Sequence, residues 1–211
     1  SDLQWWRTAS QLFISPAPHS TKHARPRNVT FLDFTNRKAL IESSVPDDFQ
    51  GHLQYIEVTS AGDLPSGFID SISDSIVITL FPLALDERAL YCNRRLLELN
   101  IPFLRCGIGE TAFERGPLVI PDSSTCLECM WRRQLGTQPI LERFVSVEQK
   151  PTDSATPIDL VLFGFLWLEI LRIVTTGQTP QTIGHIISGE PFLSTVSRRR
   201  ILRLPNCPSC G

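Results

Sequence analysis

The chain has 211 residues with 20 basic and 22 acidic side chains, so its formal net charge is −2 and its isoelectric point lies near 6.1. A weakly acidic chain has no general electrostatic attraction to nucleic acid or to an anionic membrane, so neither is an expected partner. Hydrophobic residues make up 42% and charged residues 20%, which is a globular composition and excludes wholesale disorder.

Residues 1–28 carry three prolines and no clear periodicity, which predicts an irregular N-terminal leader ahead of a domain spanning 29–211. Three short apolar runs then predict buried strands: Val29–Phe34, Leu53–Val58 and Ser75–Leu80. Asp86 is expected to open a helix, because apolar residues follow it at spacings of three and four. Residues 101–107 predict a further strand, and the alternation of strand, helix and strand favours an α/β sheet with parallel members.

The segment Gly116–Pro121 predicts another extended piece, which its prolines should confine to an edge or a strand end. Residues 135–156 predict a long polar connector. Thr156, Pro157 and Asp159 then form a strong helix start, and the helix is expected to run to about Thr176 with Gly177 as its stop. Residues 182–205 predict a hairpin.

The apolar stretch from Ile158 to Val174 contains Asp159, Glu169 and Arg172, a charge density that indicates a buried soluble helix rather than a membrane span. A cytoplasmic protein with reduced cysteines is therefore expected. Cys92 and Cys106, on an apolar helix face and near a strand end, are predicted to be inert core residues.

Two Cys-x-x-Cys pairs are the sharpest signal in the sequence: Cys126 with Cys129, and Cys207 with Cys210. Each pair can turn two thiolates toward one point, and two pairs supply the four soft ligands of a closed tetrahedral site. The favoured prediction is one structural zinc ion. A redox pair and an iron–sulfur cluster are the alternatives. The 77 residues between Cys129 and Cys207 would make the site a tie between the C-terminus and the rest of the domain.

The order of these elements resembles the ThiF/MoeB superfamily, the adenylating domains related to ubiquitin-activating enzymes. The resemblance is carried by a strand with an acidic end (FLDFTNR), the DSIVIT strand, a helix with Arg88 and Asn93, the IPFLRCG strand, and the terminal CPSCG. The segment GPLVIPDSSTCLECMWRR is more similar to the degenerate ThiF-like proteins that accompany YcaO cyclodehydratases in making azoline-containing ribosomal peptides. The resemblance implies a truncated Rossmann-like sheet flanked by helices and closed by the four-cysteine zinc site.

Departures from the superfamily pattern indicate that ATP is not bound by this chain. Superfamily enzymes hold ATP with a glycine-rich turn before the acidic-ended strand, and no glycine precedes Val29. The magnesium-binding aspartate would follow a strand matching Ser75–Leu80, where the sequence is instead FPLAL. Asp33 occupies the position of the ribose-binding carboxylate, and either that role or a structural role at the end of the strand is open to it.

The function implied by this resemblance is a non-catalytic scaffold or peptide-recognition subunit of an azoline (thiazole/oxazole) synthetase. Its expected partners are a YcaO-type cyclodehydratase, the leader of a precursor peptide, and a second copy in a homo-oligomer. One alternative is an adenylating, carboxyl-activating enzyme of the ThiF/MoeB type that is completed by a partner or by a missing N-terminal region. A sulfur-carrier adaptor in cofactor biosynthesis, which shares the zinc site, is a third possibility. The arginine-rich segment Ser197–Leu204 is either a solvated edge strand or, with Gly116–Pro121 and Trp5–Trp6, a surface for an acidic partner.

Overall fold

The computed structural model describes residues 28–58, 72, 75–83, 87–137, 156–173 and 180–211. Its strands are β1 (Asn28–Asp33), β2 (Leu53–Glu57), β3 (Ser75–Pro82), β4 (Phe103–Ile108), β5 (Phe113–Val119), β6 (His185–Glu190) and β7 (Thr195–Arg200). Its α-helices are α1 (Lys38–Ser44), α2 (Glu87–Glu98), α3 (Leu127–Thr137) and α4 (Pro157–Leu171). Trp5, Trp6, Asp86, Thr176, Gly177 and nearly all of the predicted leader and connector lie outside the described residues.

The strands form one seven-stranded mixed sheet in the order β2-β1-β3-β4-β5-β6-β7. Strands β1 to β4 pair in parallel, and β5, β6 and β7 continue the sheet as antiparallel members. The predicted α/β class with parallel strands is confirmed. The inner strands are almost entirely buried on both faces because helices cover both sides of the sheet.

Two hydrophobic cores fill the space between the sheet and its helices. On one face, α1 and α4 pack over Phe31, Ile78 and Leu104. On the other face, α2 and α3 pack over Val77, Phe103 and other buried strand residues. Cys106 lies in the first core and Cys92 in the second, both nearly inaccessible to solvent, as expected for core thiols. Burial raises the pKa of each thiol to about 12, so both remain protonated near neutral pH.

The expectation that Gly116–Pro121 lies at an edge is wrong, because β5 is an interior strand between β4 and β6. The proline is accommodated by a bulge: Gly116 and Pro117 together oppose the single residue Arg105 of β4. The ladder with β6 has already ended at Arg115, so Pro117 has no backbone donor to supply there.

Helix α4 begins as predicted. The Thr156 hydroxyl accepts a hydrogen bond from the Asp159 backbone, and the Asp159 carboxylate accepts one from the Thr156 backbone in a complete capping box. Among the described residues, no helix has both the length and the apolar character needed to cross a bilayer. The outward positions of α4, Leu160, Gly164 and Leu168, carry no charge, and the two leucines are 58% and 42% exposed.

The C-terminal hairpin is also confirmed. Strands β6 and β7 pair over six residues and are joined by a short turn in which Ser194 has a positive φ of 53°. All six residues of β7 are exposed, and β7 ends the sheet.

Candidate functional site

The four cysteines of the two Cys-x-x-Cys pairs come together on the α2 and α3 side of the sheet. Cys126 directly precedes α3, Cys129 lies in its first turn, and Cys207 and Cys210 follow β7. The Sγ atoms of Cys126 and Cys207 are 3.7 Å apart, those of Cys129 and Cys210 are 3.6 Å apart, and all four lie within 4.8 Å of one another. We call this group the four-cysteine cluster.

The cluster has the size of a tetrahedral thiolate site. Metal–sulfur bonds of about 2.3 Å place the four sulfurs of such a site about 3.8 Å apart. The observed Sγ–Sγ distances of 3.6 and 3.7 Å agree with this spacing and are too long for disulfide bonds, and all four thiols are free. The four cysteines can therefore hold one metal ion in a site that leaves no position for water.

The buried environment disfavours thiolates at two of the four cysteines, so thiolates there need a positive charge close by. Burial raises the pKa of Cys129 to about 11 and raises the pKa of Cys126 still more. Burial also opposes ionisation of Cys207, but hydrogen bonds from the Ser209 and Cys210 backbone bring the pKa of Cys207 below its ordinary value. The Leu204 amide donates to the Cys129 sulfur at 3.3 Å. A metal ion would supply the positive charge that stabilises the remaining thiolates.

Glu128, inside the first pair, fastens the cluster to its surroundings, and sequence reasoning missed this role. Its buried carboxylate accepts hydrogen bonds from Arg132 at 2.8 Å, from Arg94 of α2 at 3.2 Å, and from the Ser209 hydroxyl inside the second pair. Burial raises the pKa of Glu128, but the Ser209 hydroxyl and the two guanidinium groups more than offset this, so the net pKa lies below its usual value. Glu128 thus ties α2 and both cysteine pairs together as a carboxylate.

Asn93, which was part of the sequence resemblance, supports the same region. Its side-chain oxygen accepts a hydrogen bond from the Leu127 backbone at 2.9 Å, at the first residue of α3. The buried N-terminal amide of α3, which has no partner within its own helix, is thereby satisfied by α2. A buried amide on the helix face that meets a Cys-x-x-Cys pair was the available signal for this contact.

Asp33 lies at the carboxyl end of β1 and is fully buried. Its Oδ1 accepts hydrogen bonds from the backbone and the hydroxyl of Thr35, at 2.7 and 2.6 Å. Its Oδ2 accepts from the Arg37 backbone at 2.5 Å and from the Tyr55 hydroxyl at 2.9 Å. Burial and the Asp33 charge raise the pKa of Tyr55, which keeps that hydroxyl a donor. The ribose-binding role of Asp33 stays a prediction, beside a structural role that these four contacts describe.

The carboxyl end of the neighbouring strand β3 is apolar where the sequence resemblance would place a magnesium ligand. The rings of Phe81 and Phe34 stack with their centroids 4.3 Å apart, and the Arg88 guanidinium lies 6.0 Å from the Phe34 ring. No carboxylate occurs among Phe81, Pro82 and Leu83, the described residues that complete and follow β3. The described part of this strand end offers aromatic surface instead of cation ligands.

Solved structures with the same fold include the heterocyclase TruD, which matches 89% of this chain at 18% sequence identity with a TM-score of 0.61. A heterocyclase in complex with substrate and cofactor matches 100% of this chain at 15% identity and a TM-score of 0.62. E. coli MccB, in a structure with AMPCPP and selenomethionine-labelled MccA, matches 89% of this chain and 67% of its own length at 12% identity and a TM-score of 0.62.

These likenesses show that the chain shares an α/β fold with the two heterocyclase chains and with MccB. The chain spans only 28% and 31% of the two heterocyclase chains. No protein-family model and no curated protein matches the sequence.

Proposed function

We propose that this chain is a non-catalytic scaffold and peptide-recognition subunit of a synthetase that forms azoline rings in a ribosomal peptide. A YcaO-type cyclodehydratase would be its partner and would carry the ATP chemistry, in the cytoplasm. The observation that supports this most directly is the state of Asp33, whose carboxylate accepts four hydrogen bonds from its own chain. A carboxylate offers about four acceptor positions, so a ribose hydroxyl would have to displace an existing donor.

The aromatic end of β3 supports the same proposal. Transfer of AMP from ATP to a carboxyl group, with release of pyrophosphate, requires a cation and backbone donors at the phosphates, and the described residues there are Phe81 and Pro82. The fold that this chain shares with part of the heterocyclase TruD supports its proposed assignment to a ring-forming synthetase.

The metal that we propose for the four-cysteine cluster is zinc. Four thiolates at tetrahedral spacing suit Zn²⁺, and a site closed by four protein ligands serves architecture rather than catalysis. An iron–sulfur cluster uses the same ligands and would be recognised by its visible absorption and its iron content.

A subunit role also accounts for the outer face of α4. The outward face of a surface helix is ordinarily polar, yet Leu160 and Leu168 are exposed around the open position of Gly164. Apolar patches of this kind mark interaction surfaces. We propose that the cyclodehydratase covers this face.

Reconstitution tests the function. Ring formation, measured as the mass of water lost from a precursor peptide, should require both the cyclodehydratase and this chain, and the chain alone should catalyse no ATP–pyrophosphate exchange. Exchange by the chain alone would favour the adenylating alternative and contradict the scaffold role.

A matched pair of variants tests the α4 surface. Leu168→Glu should weaken co-purification with the cyclodehydratase at least tenfold, because it places a charge in an apolar interface. Tyr91→Glu is the control, since Tyr91 is 43% exposed, against 42% for Leu168, but lies on α2 on the opposite face of the sheet. Equal losses for both variants would contradict the assignment of this face.

A further inference from the structure

The open edge of β7 has the features of a strand-addition site. Among the described strands, β7 is the last in the sheet and pairs on one side with β6. Each of its six residues is exposed. An exposed edge strand leaves alternate backbone groups without partners in the sheet, and an extended peptide can pair with them.

The register shows which backbone groups face outward. The Ile201 amide donates to the Gly184 carbonyl at 2.8 Å, so Ile201 points toward the β6 side of the hairpin. Backbone groups alternate along a strand, so those of Arg199 and Ser197 also face β6. The groups of Val196, Arg198 and Arg200 consequently face the open edge and offer three amides and three carbonyls.

The charge of this edge favours an acidic partner. Residues 195–203 contain four arginines and no acidic residue. Arg199 forms an ion pair with Glu114 at 2.8 Å, and Arg198 donates to the Gln181 carbonyl at 3.2 Å, whereas Arg200 forms no ion pair with any described residue. A second copy paired edge to edge would bring two arginine rows together, which disfavours that occupant.

Apolar residues adjoin the charged ones. Val196 is 63% exposed, and Phe192 and Leu193 in the turn before β7 are 69% and 67% exposed. A peptide that alternates acidic and apolar residues would match both features at once, since its backbone would pair with β7 while its side chains met arginines and apolar surface.

We propose that the β7 edge binds an extended acidic segment of the precursor peptide as an eighth strand of the sheet. This rests on the proposed function, which supplies the precursor peptide as the partner. Six residues of β7 span about 20 Å, enough to bind a peptide of about the same length.

The probe is a fluorescein-labelled peptide of alternating glutamate and valine residues, measured by fluorescence anisotropy with the full chain loaded with zinc. Val196→Pro should weaken its binding at least tenfold, because proline removes an outward amide while leaving the β6 ladder intact. Val196→Ala is the matched control: it removes the same side chain but keeps the amide, and should lose no more than threefold. Equal affinities for the two variants would overturn the proposal.

Two further measurements keep the test independent of how the proline variant folds. N-methylation of every second peptide amide should abolish binding when the methylated amides are those that face β7, and should spare binding when they are the intervening ones. Replacement of glutamate by lysine should abolish binding in either case. Binding that ignores both changes, or edge-to-edge dimers in sedimentation, would refute the acidic peptide as the occupant.

The outcomes separate this inference from the proposed function. A chain that stimulates ring formation but does not bind the acidic probe refutes the β7 site alone. A chain that binds the probe but does not stimulate ring formation refutes the synthetase role and leaves the site standing.

Discussion

Replacement of Cys207 by alanine tests whether the four-cysteine cluster holds the fold together. Cys207 is buried, and its sulfur lies 3.7 Å from that of Cys126. Loss of one of the four ligands should release the metal, and the C-terminal segment would then no longer be cross-linked to α3. The effect should appear as a lower free energy of unfolding before any change in binding.

The expected loss of stability follows from the length of the loop that the metal closes. The cluster joins Cys129 to Cys207 across 77 residues. A cross-link around a loop of that length restricts the unfolded chain by about 4 kcal/mol in the chain-entropy picture. For a protein of this size each kcal/mol shifts the melting temperature by about 2–4 °C, so Cys207→Ala should lower it by about 8–16 °C.

The assay is thermal unfolding by circular dichroism, together with zinc content by mass spectrometry. The wild-type protein should carry one zinc per chain, and a strong chelator should lower its melting temperature. The same chelator should leave the melting temperature of the Cys207→Ala variant unchanged. Cys92→Ala is the control, because Cys92 is an equally buried thiol outside the cluster. A Cys207→Ala variant that keeps its zinc, or that has the same melting temperature as the Cys92→Ala variant, would refute the reasoning.

Three other predictions concern the described core. Glu114→Gln should lower the free energy of unfolding by about 3 kcal/mol in urea, because fully buried Arg105 loses the carboxylate that it contacts at 2.6 Å; adding Arg105→Met should recover part of the loss, and strict additivity would contradict this. Thr156→Ala should cost about 1 kcal/mol by removing the α4 cap, with Thr156→Ser as the neutral control. Cys92 and Cys106, with pKa values raised to about 12 by burial, should resist a thiol reagent at pH 8 until urea is added; fast labelling of the folded protein would contradict their burial.

The sequence was most informative where a pattern is local. The alternation of apolar runs with amphipathic segments predicted the parallel strands, and Thr156, Pro157 and Asp159 predicted the start of α4 because a capping box lies within four residues. The cysteine pairs were equally clear, since spacing i, i+3 already places two sulfurs on one side of a turn. Their assembly into one cluster rested on the chemistry of the donors.

The sequence was least informative where partners come from distant segments. The prolines in Gly116–Pro121 suggested an edge, but β5 is an interior strand. Pro117, which has no backbone N–H group, lies in a bulge opposite Arg105, where the sheet does not require one. The role of Glu128 could not be predicted, because its partners Arg94 and Ser209 lie 34 and 81 residues away. Hydrogen bonds of that separation depend on the finished sheet and have no local signature.

The four-cysteine cluster and the β7 edge form one structural unit. Residues within α3 and just before it hold the chain that leaves β7. The Thr125 hydroxyl, ahead of α3, donates to the Ile201 carbonyl at 3.1 Å, and Arg133 of α3 donates to the Leu202 carbonyl at 2.7 Å. The next tie is the Leu204 amide on the Cys129 sulfur. An edge strand that pairs on one side has few contacts to prevent it from fraying, so its register depends on what holds its end. A metal bound by Cys129 and Cys207 would fix that end from both sides, which gives a closed, non-catalytic site a direct use: it would hold β7 in the extended conformation that an added peptide strand needs.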